Sequence, residues 1–206
     1  MPAVQSDATD EMLMIRYQRG DRQAFATLVS RHARRVYNFV LRQLSDEALA
    51  AEVTEETFLR VVQSAAQFKN EARFATWLYS IVRNLCIEHR RGGPRSVRDA
   101  STARDERGEA APPPLSERAP ESSSRSTAER SVVSSQVGAS IVRVLEHLPD
   151  EQREVFLMRE IANLPFDEIA LITQVPAETV KNRMRYALYR LRDALSNFEE
   201  YARALR

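Results

Sequence analysis

Basic and amide side chains lie close together around residue 180, in a segment whose apolar residues recur every three or four positions. Lys and Arg donate hydrogen bonds to phosphates, and Arg, Asn and Thr also bind the edges of bases. Two helices joined by a tight turn, the second with such a surface, are typical of a helix-turn-helix that reads DNA. A helical hairpin in a core, with a solvated basic face, would give the same pattern. The residues that carry this chemistry are Thr179, Lys181, Asn182, Arg183 and Arg185.

The break between the two helices is the segment Gln174-Val175-Pro176. Pro176 suits a first helical turn, where its missing N–H is not needed, and Glu178 suits the positive end of the helix dipole. The first helix is predicted to turn Phe166, Ile169 and Ala170 inward. The second is predicted to bury one apolar face, formed by Val180, Met184, Leu188 and Leu191.

Composition limits the other classes of function. The chain has 206 residues and a net charge of +1, so the positive charge matters by its position on one helix and not by its total. None of the five glycines forms a phosphate-binding loop. Cys86 and His89 supply only two possible metal ligands, and Cys86, the only cysteine, cannot form an intramolecular disulfide. We therefore expect no enzyme activity, cofactor or metal site.

The beginning of the chain resembles no signal peptide, and no apolar run approaches the length that spans a membrane. The sequence predicts a cytoplasmic protein with no membrane insertion of its own.

Helix-forming residues are grouped into two regions, so the sequence predicts an all-α fold with two small helical domains. Residues 9–91 form the first, with breaks at Gly20-Asp21, Ser45-Asp46 and residues 68–71. Residues 92–135 are rich in Pro and Ser and predict a flexible linker, which could instead become ordered in a partner's channel. Residues 136–196 form the second domain, which includes the helix-turn-helix, and residues 197–206 form a tail.

Several segments, in this order, resemble one family, the extracytoplasmic-function sigma factors of bacterial RNA polymerase. The strongest match is the run from Phe74 to Asn84, which contains Thr76-Trp77-Leu78 and Ile81. Others are residues 20–25, 56–60, 148–149 and 153–157. The remaining two are Asp167-Glu168-Ile169-Ala170, and Val175-Pro176 with Thr179-Val180-Lys181.

The resemblance implies a sigma factor that binds core RNA polymerase, at its clamp and flap, and directs it to promoter DNA. It implies that the first domain melts the −10 element and that the second reads the −35 element. It also implies an anti-sigma factor as a further partner. The alternatives are a stand-alone helix-turn-helix regulator and a helical module that binds an acidic protein.

Mapped onto this chain, the resemblance assigns the polymerase-facing helix to Asp46–Val62 and the −10 reader to the loop Phe68–Ala72 with the helix after it. Phe74 and Trp77 fit core packing better than base stacking. The polymerase-binding candidates are Glu52, Glu55, Glu56, Phe58 and Leu59. The −10 candidates are Phe68, Lys69, Asn70, Arg73, Arg83 and Asn84, and the run His89-Arg90-Arg91 could contact upstream phosphates or be a solvated helix end.

Five residues depart from the family's usual pattern. Glu52 stands where Asp is usual, which keeps the charge. Glu55 adds a charge to the polymerase-facing helix, and Gln174 and Glu178 stand where Gly is common. Tyr186 replaces a common Arg, which makes it a further −35 candidate through stacking or a hydroxyl contact.

Overall fold

The structure, a computed structural model, describes residues 8–91 and 141–204, with side chains described through residue 194. Within those ranges it contains helices and no strand, which confirms the all-α prediction. The predicted linker, residues 92–135, lies outside them. No helix of the described residues is long and apolar enough to cross a membrane.

Four helices build the first domain: α1 (Asp10–Gln18), α2 (Arg22–Leu44), α3 (Glu47–Gln63) and α4 (Phe74–Arg90). Side-chain caps start three of them, because Thr9, Asp21 and Asp46 each accept a hydrogen bond from a backbone N–H of the first turn. Gly20, at φ 98°, supplies the left-handed residue between α1 and α2. A 3-10 turn, Ala65–Gln67, leads from α3 into the loop before α4.

The core of the first domain lies where α1, α3 and α4 pack around α2. Its largest fully buried side chains include Phe39, Phe74 and Tyr79, and Phe39 packs edge-on against Tyr79 with ring centroids 5.4 Å apart. On α3, Val62 is exposed. That position lies on the outer side of α3, one residue beyond the buried Val61.

The second domain contains α5 (described residues 141–147), α6 (Asp150–Glu160), α7 (Phe166–Thr173) and α8 (Ala177–Ala204). α8 begins directly after Pro176, so this proline precedes the first turn instead of belonging to it, and its carbonyl accepts from the Val180 N–H at 3.2 Å. The helix runs past residue 196 without a break, into the residues predicted as a tail.

The predicted apolar face of α8 was wrong at one position. Val180, Met184 and Leu191 are buried, but Ala187 is the fourth buried residue and Leu188 is 48% exposed. A spacing of four, three and four keeps the buried residues aligned over three turns. Leu188 instead lines a groove together with Phe166 of α7.

The two domains contact each other. α6 packs against α2, and α7 packs against α4. The second domain therefore lies against the face of the first domain that contains the 68–73 loop and α4.

Candidate nucleic-acid interface

The outer surface of α8 combines donors with two tyrosines. Lys181, Arg185 and Tyr186 are exposed, while Thr179 and Asn182 are half-buried. The Arg185 guanidinium donates to Asn182 Oδ1 at 2.8 Å, which orients both side chains. Tyr189, at 70% exposed, extends this surface by one turn. The arrangement offers charged donors to phosphates beside an amide that can bind a base edge.

Arg183 lies apart from this set. It is on the flank of α8 that faces α6, and its guanidinium pairs with the Glu151 carboxylate. Its side chain is mostly buried. The structure thus brings five of the six predicted −35 residues onto one exposed surface and directs Arg183 toward its own domain.

A groove of about 480 Å³ runs between α7 and α8 beside this surface. Its floor is apolar, formed by Phe166, Met184 and Leu188, and its rim carries Lys181, Arg185 and Arg192. The Arg159 guanidinium lies over the Phe166 ring at 5.0 Å, which fixes the α7 end of the groove.

The loop that precedes α4 carries the predicted −10 residues. Lys69 and Asn70 are exposed at its tip. Phe68 is buried and lies 5.2 Å from the Trp77 ring and 6.0 Å from the Phe74 ring, centroid to centroid. Phe68 is therefore an anchor of the loop in this conformation and not an open stacking surface, because its ring is enclosed by two other aromatic rings. Phe74 is fully buried and Trp77 half-buried, in line with core packing.

α1 holds this loop at both ends, through residues that the sequence analysis did not single out. Gln18 Nε2 donates to the carbonyls of Ala65, at 2.8 Å, and Phe68, at 2.9 Å. Glu11 Oε1 accepts from the Phe74 N–H, the first free donor of α4, at 2.9 Å. Burial opposes ionisation of Glu11, but this hydrogen bond and others leave its pKa below the usual range.

The remaining −10 candidates lie on or beside α4. Asn84 is exposed. Arg73 pairs with Glu168 of α7, at 3.4 Å from Nη1 to Oε1, and Arg83 pairs with Glu154 of α6, at 2.8 Å from Nε to Oε1. Both arginines are thus engaged by carboxylates of the second domain.

Glu154 is the most buried of those carboxylates. Burial raises the pKa of Glu154 although the neighbouring Arg83 acts in the opposite direction. Loss of hydration therefore outweighs the attraction to Arg83 at this site. Neither Glu154 nor Glu168 was identified from the sequence as part of an interface between domains.

The predicted polymerase-binding residues share α3 but differ in exposure. Glu52 and Glu55 are exposed, and Leu59 is 60% exposed. Phe58 is half-buried, packing edge-on against Phe25 with centroids 6.5 Å apart. Glu56 is held by Arg60, at 3.0 Å, so it belongs to an ion-pair network that also reaches Glu88 of α4.

Cys86 and His89, the possible metal ligands, lie on α4. Cys86 is buried, which raises the pKa of its thiol to about 12, and the His89 imidazole lies 3.5 Å from Glu56. Among residues 8–91 and 141–194, no group of three or more His, Cys, Asp or Glu side chains could hold a metal ion.

Comparison with family models gives two matches in the order of the two domains. Residues 28–95 match sigma-70 region 2, and residues 139–191 match sigma-70 region 4. Together the two matches extend over more than half of the chain.

Relatives with established functions match along almost the whole chain. The RNA polymerase sigma-H factor of Pseudomonas aeruginosa is 27% identical over 190 residues, which cover 90% of this chain and 91% of that protein. The ECF RNA polymerase sigma-E factor of Escherichia coli K12 is 29% identical over 193 residues, which cover 92% of this chain and 93% of that protein.

Two solved structures share the fold. CnrH in complex with the cytosolic domain of CnrY aligns with a TM-score of 0.64 and 19% identity, over 92% of this chain and 99% of that chain. RpoE in complex with the anti-sigma factor NepR, from Bartonella quintana, aligns with a TM-score of 0.59 and 19% identity, over 84% and 96%.

Proposed function

Because the chain belongs to the extracytoplasmic-function family of RNA polymerase sigma factors, we propose that its two domains share the work of promoter recognition. The first domain binds core polymerase and reads and melts the −10 element. The second domain reads the −35 element. The boundaries of this division are residues 9–91 and 136–196, with residues 92–135 as the tether between them.

The −35 assignment is supported by the exposed surface of α8. Lys181 and Arg185 are positioned to neutralise phosphates, because each presents a charged donor to solvent. Thr179 and Asn182 carry a hydroxyl and an amide beside these cations, and such groups can bind base edges. Tyr186 adds a hydroxyl on the same surface. Arg183 supports the interface indirectly by holding α8 against α6 through Glu151.

The −10 assignment is supported by a loop whose tip is polar and whose base is rigid. Lys69 and Asn70 are available to a displaced strand, and Phe68 anchors the loop in the aromatic cluster. Arg73, Arg83 and Asn84 continue the same surface toward α4, where they would bind the backbone of that strand.

The polymerase assignment is supported by the outer face of α3. Glu52, Glu55 and Leu59 are exposed there, and the apolar Val62 extends the patch by one turn. An apolar centre beside carboxylates fits a protein partner with basic residues. Phe58 and Glu56 belong to the same helix but contact residues of the first domain itself: Phe58 packs against Phe25, and Glu56 pairs with Arg60.

An anti-sigma factor is the further partner that we propose. The two solved structures of the same fold are complexes with a partner protein, and one of these partners, NepR, is an anti-sigma factor. The groove between α7 and α8 is an apolar surface with a basic rim, and it suits the apolar face of an acidic helix. The protein acts in the cytoplasm, where polymerase and promoter DNA are found.

A stand-alone helix-turn-helix regulator accounts for less of the chain. It would not explain why the first domain matches sigma-70 region 2. The observation that carries the sigma-factor proposal is the presence of both sigma-70 regions, in order, along one chain.

Run-off transcription with core RNA polymerase tests this function. Templates are bacterial genomic fragments that include the promoter of the protein's own gene, with and without the protein. We expect new promoter-specific starts. Lys181→Ala with Asn182→Ala should reduce starts that depend on a −35 element by about tenfold or more, since phosphate and base contacts are lost together.

Arg190→Ala is the matched control. Arg190 is an exposed cation of the same helix, nine positions after Lys181, which places it half a turn around the axis from Lys181 and about 14 Å further along the helix. It should leave −35-dependent starts unchanged. No starts, together with no binding to core polymerase, would exclude the sigma-factor function.

A further inference from the structure

The longest helix of the first domain is basic and carries no acidic residue. α2 spans 23 residues, Arg22–Leu44, and contains five arginines but neither Asp nor Glu. The helix that follows it has the opposite character, since α3 contains four glutamates and one arginine. The net charge of the whole chain is only +1, so positive charge is concentrated on α2. None of the residues assigned above to DNA or polymerase lies on this helix.

Four of these arginines follow one side of α2. Residues 34, 35, 38 and 42 lie three, four, seven and eleven positions after residue 31, which places all five within about 100° around the helix axis. We call this set the α2 stripe, and its members are Arg31, Arg34, Arg35, Asn38 and Arg42. The helical rise gives the stripe a length of about 16 Å. One strand of duplex DNA carries about five phosphates over that length.

The α2 stripe is accessible to solvent while the two domains are in contact. Its exposed members are Arg34, Arg35 and Asn38, and its half-buried members are Arg31 and Arg42. Asp10 of α1 pairs with Arg31 at 2.8 Å and neutralises that end of the stripe. In the described part of the chain, the guanidinium groups of Arg35 and Arg42 form no hydrogen bond or ion pair with another residue. Their donors are therefore available to a partner.

The chemistry of the α2 stripe fits a nucleic-acid backbone better than a protein surface. No large apolar side chain of α2 is exposed, whereas the core of a protein–protein interface is formed by apolar and aromatic residues. Arginine and amide side chains bind phosphate oxygens, and arginine does so with two parallel hydrogen bonds. The stripe has no aromatic ring on which an unstacked base would stack, so duplex DNA fits it better than a single strand.

We infer that the α2 stripe is a further DNA-binding surface, which holds the phosphate backbone of duplex promoter DNA outside the −10 and −35 elements. The inference deepens the proposed function and rests on it, because it requires that promoter DNA passes the first domain. Phosphates are the same in every sequence, so the stripe adds affinity and leaves the choice of promoter to the two reading surfaces.

Two positions of the stripe give a variant that spares the fold. Arg35→Gln with Arg42→Gln removes two charges, and neither guanidinium has an ion pair to lose. Arg19→Gln with Arg22→Gln is the matched control, since it removes two charges from exposed arginines at the turn between α1 and α2. Arg22 lies half a turn around the helix axis from Arg31 and about 14 Å before it. Circular dichroism and thermal melting verify that both variants are folded.

The first readout is the affinity of the full-length protein, without polymerase, for a fluorescent duplex of mixed sequence at several salt concentrations. Each phosphate contact adds about 0.9 to the slope of log affinity against log salt, so loss of two contacts should lower the slope by about 1.8. Raising the salt from about 50 to 200 mM should then weaken binding by the stripe variant about tenfold less than binding by wild type. The control variant should keep the wild-type slope, because the contacts of α8 are common to all three proteins.

A conservative variant separates charge from shape. Arg35→Lys with Arg42→Lys keeps both cations, so it should keep the wild-type slope although it loses the planar guanidinium groups. A slope as low as that of the glutamine variant would contradict neutralisation of phosphates by these two positions.

Two other polyanions, measured in the same way, identify the occupant. They are a single-stranded DNA of the same length and poly-glutamate. We expect the stripe variant to lose most affinity for the duplex. An equal or larger loss for the single strand, or a loss confined to poly-glutamate, would contradict duplex DNA as the occupant.

The position of the DNA is measured in the complex of polymerase, protein and the promoter of the protein's own gene. An iron chelate that cleaves DNA is attached to a cysteine introduced at Asn38, and Cys86, which is buried, stays unlabelled in the folded protein. We expect cuts in duplex DNA outside the −10 and −35 elements, and none when the chelate is attached at Arg22. Absence of cuts from position 38 would overturn the inference.

Equal salt slopes for the stripe variant and its control would also overturn it. A failed proposed function is distinguishable from this result. Transcription without new starts would exclude the sigma-factor function whatever the slopes show, whereas normal starts together with equal slopes would exclude only the α2 stripe as a DNA-binding surface.

Discussion

Gln174 ends α7 in the left-handed conformation, with φ 57° and ψ 38°, a conformation that glycine adopts without a steric penalty. A Cβ in that conformation crowds the following carbonyl, which costs about 1 kcal/mol relative to glycine. We therefore expect Gln174→Gly to stabilise the second domain by about 1 kcal/mol, measured by urea unfolding. Gln174→Ala keeps the Cβ and should give no gain, and an equal gain from both would contradict backbone strain as the cause.

Asp10 joins α1 to α2 and sets a pH dependence. A hydrogen bond with His32, 2.7 Å from Nε2 to Oδ2, and further contacts with Arg31 lower the pKa of Asp10 to about 2. A depressed carboxyl pKa contributes stability above its unfolded value, near 3.8, and that stability is lost as the pH falls toward 2.

Asp10→Asn should therefore be less stable than wild type at pH 6, and the difference should shrink as the pH falls below 4. Urea unfolding at several pH values measures it. Glu47→Gln, which removes an exposed first-turn carboxylate of α3, is the control and should show a smaller difference at pH 6. A difference for Asp10→Asn that stays constant with pH would exclude this linkage.

At the residue scale, local patterns predicted most of the site but missed interactions that depend on packing. The exposed surface of α8 followed from helical periodicity. The burial of Ala187 in place of Leu188 did not, because leucine is the more apolar residue and periodicity allows either position to face the core. Phe68 was expected to be available to a base, but its burial depends on Phe74 and Trp77. Loop aromatics carry no periodic pattern that would show this.

At the scale of elements, α1 serves as a brace for the loop before α4. Gln18 joins two loop carbonyls, and each of these hydrogen bonds contributes about 1 kcal/mol. We expect Gln18→Leu to slow promoter melting about tenfold, because the loop loses the geometry in which Lys69 and Asn70 meet the strand. Permanganate reactivity of the −10 region, with holoenzyme on duplex promoter, measures melting.

Gln67 offers a matched control, since it is an exposed glutamine of the same 3-10 turn. Gln67→Leu should melt promoters at the wild-type rate. Gln18→Leu should also keep wild-type affinity for core polymerase, which separates a local effect on the loop from general unfolding. A wild-type rate of promoter melting with Gln18→Leu would rule out a role for Gln18 in holding the loop.

Element boundaries were the most predictable part of the fold because the chain marks them chemically. Gly20-Asp21 and Ser45-Asp46 supply a left-handed residue and a cap at each break, and α2 and α3 begin where those caps stand. The continuation of α8 beyond residue 196 was less predictable, since weak apolar signals there fitted either a helix or a tail.

At the scale of the whole molecule, the contact between the domains could not be predicted from sequence. Its partners are far apart along the chain, as in the Arg73–Glu168 pair with a separation of 95 residues, and no local pattern relates them. In the sequence, Glu154 and Glu168 do not differ from other acidic residues of helices. In the fold they pair with Arg83 and Arg73. Only the packing of α6 on α2 and of α7 on α4 reveals the arrangement.

That contact predicts how the full-length protein unfolds. At low salt the ion pairs Arg73–Glu168, Arg83–Glu154 and Arg90–Asp150 join the domains, so calorimetry should give strongly overlapping transitions. At about 1 M salt the Debye length is roughly 3 Å and the exposed pairs are screened, so the transitions should separate. Glu168→Lys should show separated transitions already at low salt, and Asp167→Lys should follow wild type. Transitions of wild type that stay equally separated at every salt concentration would mean that the domains unfold independently and that ion pairing does not join them.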